Sequence, residues 1–289
     1  MAQKNQKEVS EQYSDNGMLT FGGHLEVLRK MLFRIIAVVV VMASIIFCFK
    51  QETFAILLAP SKFNFCTFGF MEKIMLDLGM DFHFEEFHIP LISTDLSAQF
   101  MTHITVSCIL GVLLASPYIL FELFRFISPA LYDSERRYSV LVAVIIYALF
   151  IIGLLMSYYV IFPISFRFLA NYQVDESIKS TITLDSYIST FTTLMFMMGI
   201  VFQLPVFAFV LGRMGFIDAD LLRGYRAYAF VLIMIIAAII TPPDIFTLLI
   251  VTIPIYALYE LSIVVLKRWG PRPSDIRGSE DKEEEDKDE

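Results

Sequence analysis

The residues able to do chemistry are few, and most lie at the edges of apolar runs. The stretch "SPALYDSERR", 128–137, places Asp133, Glu135, Arg136 and Arg137 within five residues. Similar pairings occur at Glu26 and Arg29 ahead of one apolar run, and at Glu122 and Arg125 at the end of another. Carboxylates at such spacing do not make a catalytic set. They suit recognition, because a carboxylate accepts two parallel N–H bonds from one guanidinium, a geometry more selective than charge alone. "HFEEFH", 83–88, has ligand-type side chains, but its spacing fits no standard zinc motif and it reads as a solvated loop. The chain has three cysteines, Cys48, Cys66 and Cys108, an odd and scattered set that forms neither a disulfide framework nor a metal site. No G-x-x-x-x-G-K-[ST], H-E-x-x-H or G-x-S-x-G motif occurs, so neither an enzyme nor any cofactor is expected.

The elements that position these residues are membrane spans. Of 289 residues, 57% are hydrophobic and 18% charged, with a mean hydropathy of +0.66, too apolar for a water-soluble domain. A helix needs about 20 apolar residues to cross the hydrocarbon core. Six segments meet or approach that: 31–49, 99–123, 140–162, 187–211, 227–241 and 245–266. The chain therefore reads as an all-α integral membrane protein. It is predicted to form one domain with a polar head at 1–23, a six-span core at 24–266 and a disordered acidic tail at 267–289, and to have no nucleic-acid partner. The tail sequence "SEDKEEEDKDE" has no apolar residue to bury.

Lysine and arginine set the orientation. Arg29, Lys30 and Arg34 flank the first span, Arg125, Arg136 and Arg137 follow the second, Arg213, Arg223 and Arg226 follow the fourth, and Lys267, Arg268, Arg272 and Arg277 follow the sixth. Both termini are thus expected in the cytoplasm. The fifth span is 15 residues, or about 22 Å of helix, and the sixth is equally short if its apolar part ends before Glu260. Such a hairpin either thins the bilayer or shelters behind longer neighbours.

On a cationic cytoplasmic face, a cationic partner must be met by the few carboxylates there: Glu26, Glu122, Asp133, Glu135, Asp218 and Asp220. On charge alone, the plainer reading is favoured, with Glu135 neutralising Arg136 or Arg137 and Glu122 pairing with Arg125 three residues on. Gln203, beside Pro205, reads equally as a structural hydrogen bond or a functional group. The alternative class, a proton-coupled secondary transporter of a small solute, would show internal repeats and ionisable residues near the midplane, and here only Gln203 and Pro205 hint at that.

Six motifs, in order, resemble the TatC family: "HLEVLRK" at 24–30, "STDLSAQF" at 93–100, "ASPYILFELFRFISPALYDSERR" at 115–137, "FPISFRFLANY" from Phe162, "TPPD" at 241–244 and "IPIYALYE" at 253–260. The resemblance implies a concave, cup-like six-helix fold in the bacterial inner membrane. It also implies a receptor for signal peptides with paired arginines, working with the single-span partners TatA and TatB to export folded proteins on the proton gradient, and self-association. By position, Glu135 would meet the arginines, Phe126 and Leu131 would make apolar contacts, and Glu26, Arg29 and Glu122 would share that region. Pro60, Asp185 and Asp244 match outer-side positions of structural or assembly character, and Glu260 closes the last motif.

The chain departs from the family pattern in three places. Val27 stands where the family often has an acid, and the acid is Glu26, about 100° away around a helix. Gln203 replaces a frequent Glu, which leaves only a hydrogen-bonding role. Phe124 replaces a common Trp.

Overall fold

The computed structural model describes residues 21–62, 64–79, 90–127, 139–173, 175 and 181–269. Its first helix, α1 (Phe21–Cys48), is 28 residues long without proline, and its apolar run begins at Met31 and is interrupted by one charge, Arg34. A backbone surrounded by lipid has to satisfy its hydrogen bonds internally, so even the valine-rich stretch 38–41 stays helical. Next come α2 (Lys50–Leu57), a 3₁₀ turn (Ala59–Ser61) and α3 (Cys66–Asp77). The strand β1 (Leu91–Ile92) leads into α4 (Ala98–Ile127), which runs through Pro117.

The third span is one continuous run made of α5 (Ser139–Met156), a π-helical turn (Ser157–Ile161) and α6 (Phe162–Asn171). The strand β2 (Ile182–Thr183) precedes the fourth span, α7 (Leu184–Val201) and α8 (Leu204–Arg213). Pro205, at the second position of α8, has no N–H to donate, and the helix breaks just ahead of it at Phe202 and Gln203. A short α9 (Ala219–Gly224) is followed by α10 (Arg226–Ile240) and α11 (Ile245–Trp269), joined through "TPPD".

Among the described residues, six stretches are long and apolar enough to cross a membrane: Leu25–Cys48, Lys50–Asp77, Ala98–Leu123, Ala143–Asn171, Leu184–Arg213 and Ile245–Arg268. Lys50–Asp77 is not one helix. Its pieces of 8 and 12 residues reach only about 12 and 18 Å. The remaining span is α10, whose 15 residues match the expected short fifth span. The sixth, α11, runs for 25 residues from Ile245 to Trp269, covers the expected 245–266 and continues past Glu260. Only the apolar part ahead of Glu260 is short.

Successive spans alternate in direction. Gly111 of α4 lies against Ala43 of α1, and eleven residues on, Glu122 meets Arg34, nine residues back. One end of the bundle, here the ladder end, carries β1 and β2, which pair in parallel as Leu91 with Ile182 and Ile92 with Thr183. The opposite, basic end holds the start of α1, the end of α4, the start of α5, and the ends of α8 and α11.

Helix association in lipid depends on close packing rather than on burial from water. Glycines make it close, two of them against backbone. A Cβ at Gly153 would lie 2.7 Å from the Met198 carbonyl oxygen and 2.9 Å from Phe202, and one at Gly111 would lie 2.8 Å from the Ala43 backbone. The centre is filled by Ile161, Phe162, Tyr187, Phe191, Leu194, Met198, Val251 and Ile255, all buried.

Candidate functional site

At the basic end the described carboxylates are engaged by the chain's own groups. Glu26 lies 2.8 Å from Lys30 one turn along α1, while Arg29 is exposed. Glu122, buried in α4, lies 3.4 Å from Arg34 Nη1 and accepts a bond from the Tyr118 hydroxyl at 3.0 Å. The pair with Arg125 suggested by sequence spacing does not form. A charge at the lipid edge is costly alone, and the antiparallel packing of α1 on α4 brings the opposite charge of Arg34 to the same depth. Phe126, in the last turn of α4, is half-buried.

The short hairpin is closed at the same end. Arg226 donates to Glu260 at 2.7 Å, Tyr256 to Glu260 at 3.1 Å, and Tyr259 to the Leu222 carbonyl at 2.6 Å. Asp218 caps α9 by accepting from the Leu221 N–H at 2.6 Å, and Asp220 lies 3.5 Å from Arg223. Glu135 and Leu131, with Asp133, Arg136 and Arg137, lie outside the described residues, between Ile127 and Ser139 in sequence.

Gln203 is buried where α7 meets α8, and its Nε2 donates to the Ile146 carbonyl at 3.0 Å, tying the fourth span to the third. At the ladder end, Asp244 caps α11 by accepting from the Thr247 N–H at 2.6 Å, Asp185 is exposed in the first turn of α7, and Pro60 is buried in the 3₁₀ turn. Hydroxyls unremarked in the sequence hold the helices on either side of that turn: Tyr187 donates to Leu57 O and Tyr158 to Ile56 O at the end of α2, both at 2.9 Å, and Thr67 of α3 donates to Tyr159 O. A tyrosine in an apolar run near a span end is the signal for such anchors. Among the described residues no three His, Cys, Asp or Glu side chains converge as metal ligands, and "HFEEFH" lies outside them.

Comparison with known proteins bears on this arrangement. The family model "Sec-independent protein translocase protein (TatC)" matches residues 23–254. The chain belongs to the TatC family. The TatC protein of Blattabacterium sp. subsp. Periplaneta americana is 31% identical over 260 residues, covering 87% of this chain and 96% of its own. That of Desulforapulum autotrophicum is 31% identical over 252 residues, covering 87% and 86%. A crystal structure titled as the twin arginine translocase receptor TatC in DDM superposes with a TM-score of 0.69 at 29% identity, covering 84% of this chain and 99% of that one. As a TatC family member the chain is a multi-pass membrane subunit of the twin-arginine protein translocase, acting with membrane partners and not as an enzyme.

Proposed function

We propose that this chain is the receptor subunit that reads paired-arginine signal peptides at the basic end of the bundle, and that this end and both termini face the cytoplasm of a bacterial inner membrane. The observation that carries the proposal is the state of the acids there. Glu26, Glu122, Asp220 and Glu260 each sit beside a cation of the same chain, and Asp218 caps a helix. The other acids that the sequence places next to the spans at this end are Asp133 and Glu135, between α4 and α5. Glu135, the family-matched one, is assigned as the guanidinium acceptor, with Phe126 and Leu131 against the apolar part of the peptide. Glu26, Arg29 and Glu122 border the site, the last as the fixed charge that locks α1 onto α4.

Docking at this face recruits single-span partners of the TatA and TatB type, and the assembly exports folded cargo on the proton gradient. Gln203, lacking a titratable group, serves the bundle as a hydrogen-bonding residue. The test is complementation of a bacterium lacking its own TatC, with a folded reporter behind a signal peptide carrying either Arg-Arg or Lys-Lys. Export of the Arg-Arg reporter alone, lost with Glu135→Gln, is the expected result. Export of both reporters, indifferent to Glu135, would overturn the proposal.

A further inference from the structure

At the ladder end a groove of about 400 Å³ opens between α3, α6 and the first turn of α11. That volume lies within the range of small-molecule sites, about 300–1,000 Å³. Phe68 and Met71 line it from α3, Ile164 and Phe168 from α6, and Phe246 from α11. Phe246 stacks on Phe168 with ring centroids 4.1 Å apart, which holds the wall from α11 against the wall from α6. One charged side chain lines the groove, Arg167, half-buried, with its guanidinium carbon 4.8 Å from the centre of the Phe68 ring. Beside it are the amide of Asn171 and the exposed ring of Tyr172.

The position of the groove along the span selects the ligand. α6 continues the third span to its last turn, so Arg167, Asn171 and Tyr172 come at the level where apolar chain gives way to polar. Phe168, Tyr172 and Phe246, all exposed, cluster there as interfacial aromatics do at the border of hydrocarbon and headgroup. A guanidinium at that depth meets phosphates, and its five N–H donors serve several partners at once, so the ring contact with Phe68 is compatible with a phosphate along the fork. The walls below it, from Met71, Ile164 and Phe168, are apolar.

We propose that this groove binds one anionic phospholipid, with its phosphate on Arg167 and Asn171 and an acyl chain along Met71, Ile164 and Phe168. Bound there, the lipid bridges α3, α6 and α11 and clamps the α2–α3 segment to the bundle. The site is separate from the basic end and does not depend on signal-peptide recognition.

The test is native mass spectrometry of the purified full chain with equimolar phosphatidylglycerol and phosphatidylcholine. One phosphatidylglycerol retained at about tenfold preference is the expected result, equivalent to about 1.4 kcal/mol. Arg167→Gln abolishes the preference, Arg167→Lys retains part of it, and Met71→Trp, which fills the groove, removes bound lipid of both kinds. Equal retention of the two lipids by the unaltered chain, or a preference that survives Arg167→Gln, would overturn the proposal. Displacement by glycerol 3-phosphate would also overturn it, by showing a site for soluble phosphate rather than lipid.

Discussion

Arg226 Nη2 lies 2.7 Å from Glu260 Oε2, and this pair joins the start of α10 to a point 15 residues into α11, past 245–259. The hairpin is therefore tied off about 22 Å from its tip, less than the ~30 Å of an ordinary hydrocarbon core. The chain places its ion pair, with the Tyr256 and Tyr259 hydroxyls, at the depth where the apolar stretch ends.

Both members of the pair are partly exposed, at 48% and 33%, so its contribution is modest. A double-mutant cycle of Arg226→Gln and Glu260→Gln, read by unfolding in mixed micelles, is expected to give a coupling of about 1 kcal/mol or less, falling with salt. A coupling of zero would mean that the Tyr259 bond to Leu222 closes the hairpin alone.

Gly153→Ala is expected to destabilise the third and fourth spans by about 1–3 kcal/mol, since the new methyl meets backbone that cannot rotate away. Gly69→Ala in α3 is the internal control. Nothing lies within 4 Å of its Cβ position, and alanine there is expected to be neutral or mildly stabilising. Thermal unfolding of the two variants side by side checks the contrast.

Tyr187→Phe removes the hydroxyl that donates to the Leu57 carbonyl without emptying the core. The expected loss is about 1 kcal/mol, and its signature is local: faster proteolysis within 50–77 while the rest of the bundle stays protected. Uniform loosening of the whole bundle would contradict the assignment of this tyrosine as an anchor for that segment.

Gln203→Leu trades one bond to Ile146 O for removal of a buried Oε1 that has no partner among the described residues. The two effects oppose, and hydrogen bonds between membrane helices average only about 0.6 kcal/mol. Stability measured in micelles is therefore expected to change by less than about 1 kcal/mol. A collapse of the fourth span would show that the bond to Ile146 is indispensable.

The spans were legible because lipid imposes a length and a composition on each helix, and 15 residues of α10 emerge within one residue of the sequence boundary. Pairings across the bundle were less so. Glu122 has Arg125 three residues away in sequence and Arg34 across the interface, and only the antiparallel seating of α1 on α4, fixed by Gly111 at Ala43, decides for Arg34. The tether of the end of α2 by Tyr187 spans 130 residues and has no local trace. The sixth span was legible as 245–266 although Glu260 interrupts it, and the structure shows why the helix passes that charge: Arg226 meets it.

The most direct measurement is the affinity of the reconstituted chain for a twin-arginine signal peptide and for its Lys-Lys version, each on the unaltered protein and on Glu135→Gln. The expected result is a preference for arginine that Glu135→Gln reduces at least tenfold, about 1.4 kcal/mol, while Glu122→Gln acts mainly on stability. Equal binding of both peptides, untouched by Glu135→Gln, would make "DSERR" a self-neutralised turn and contradict the recognition site.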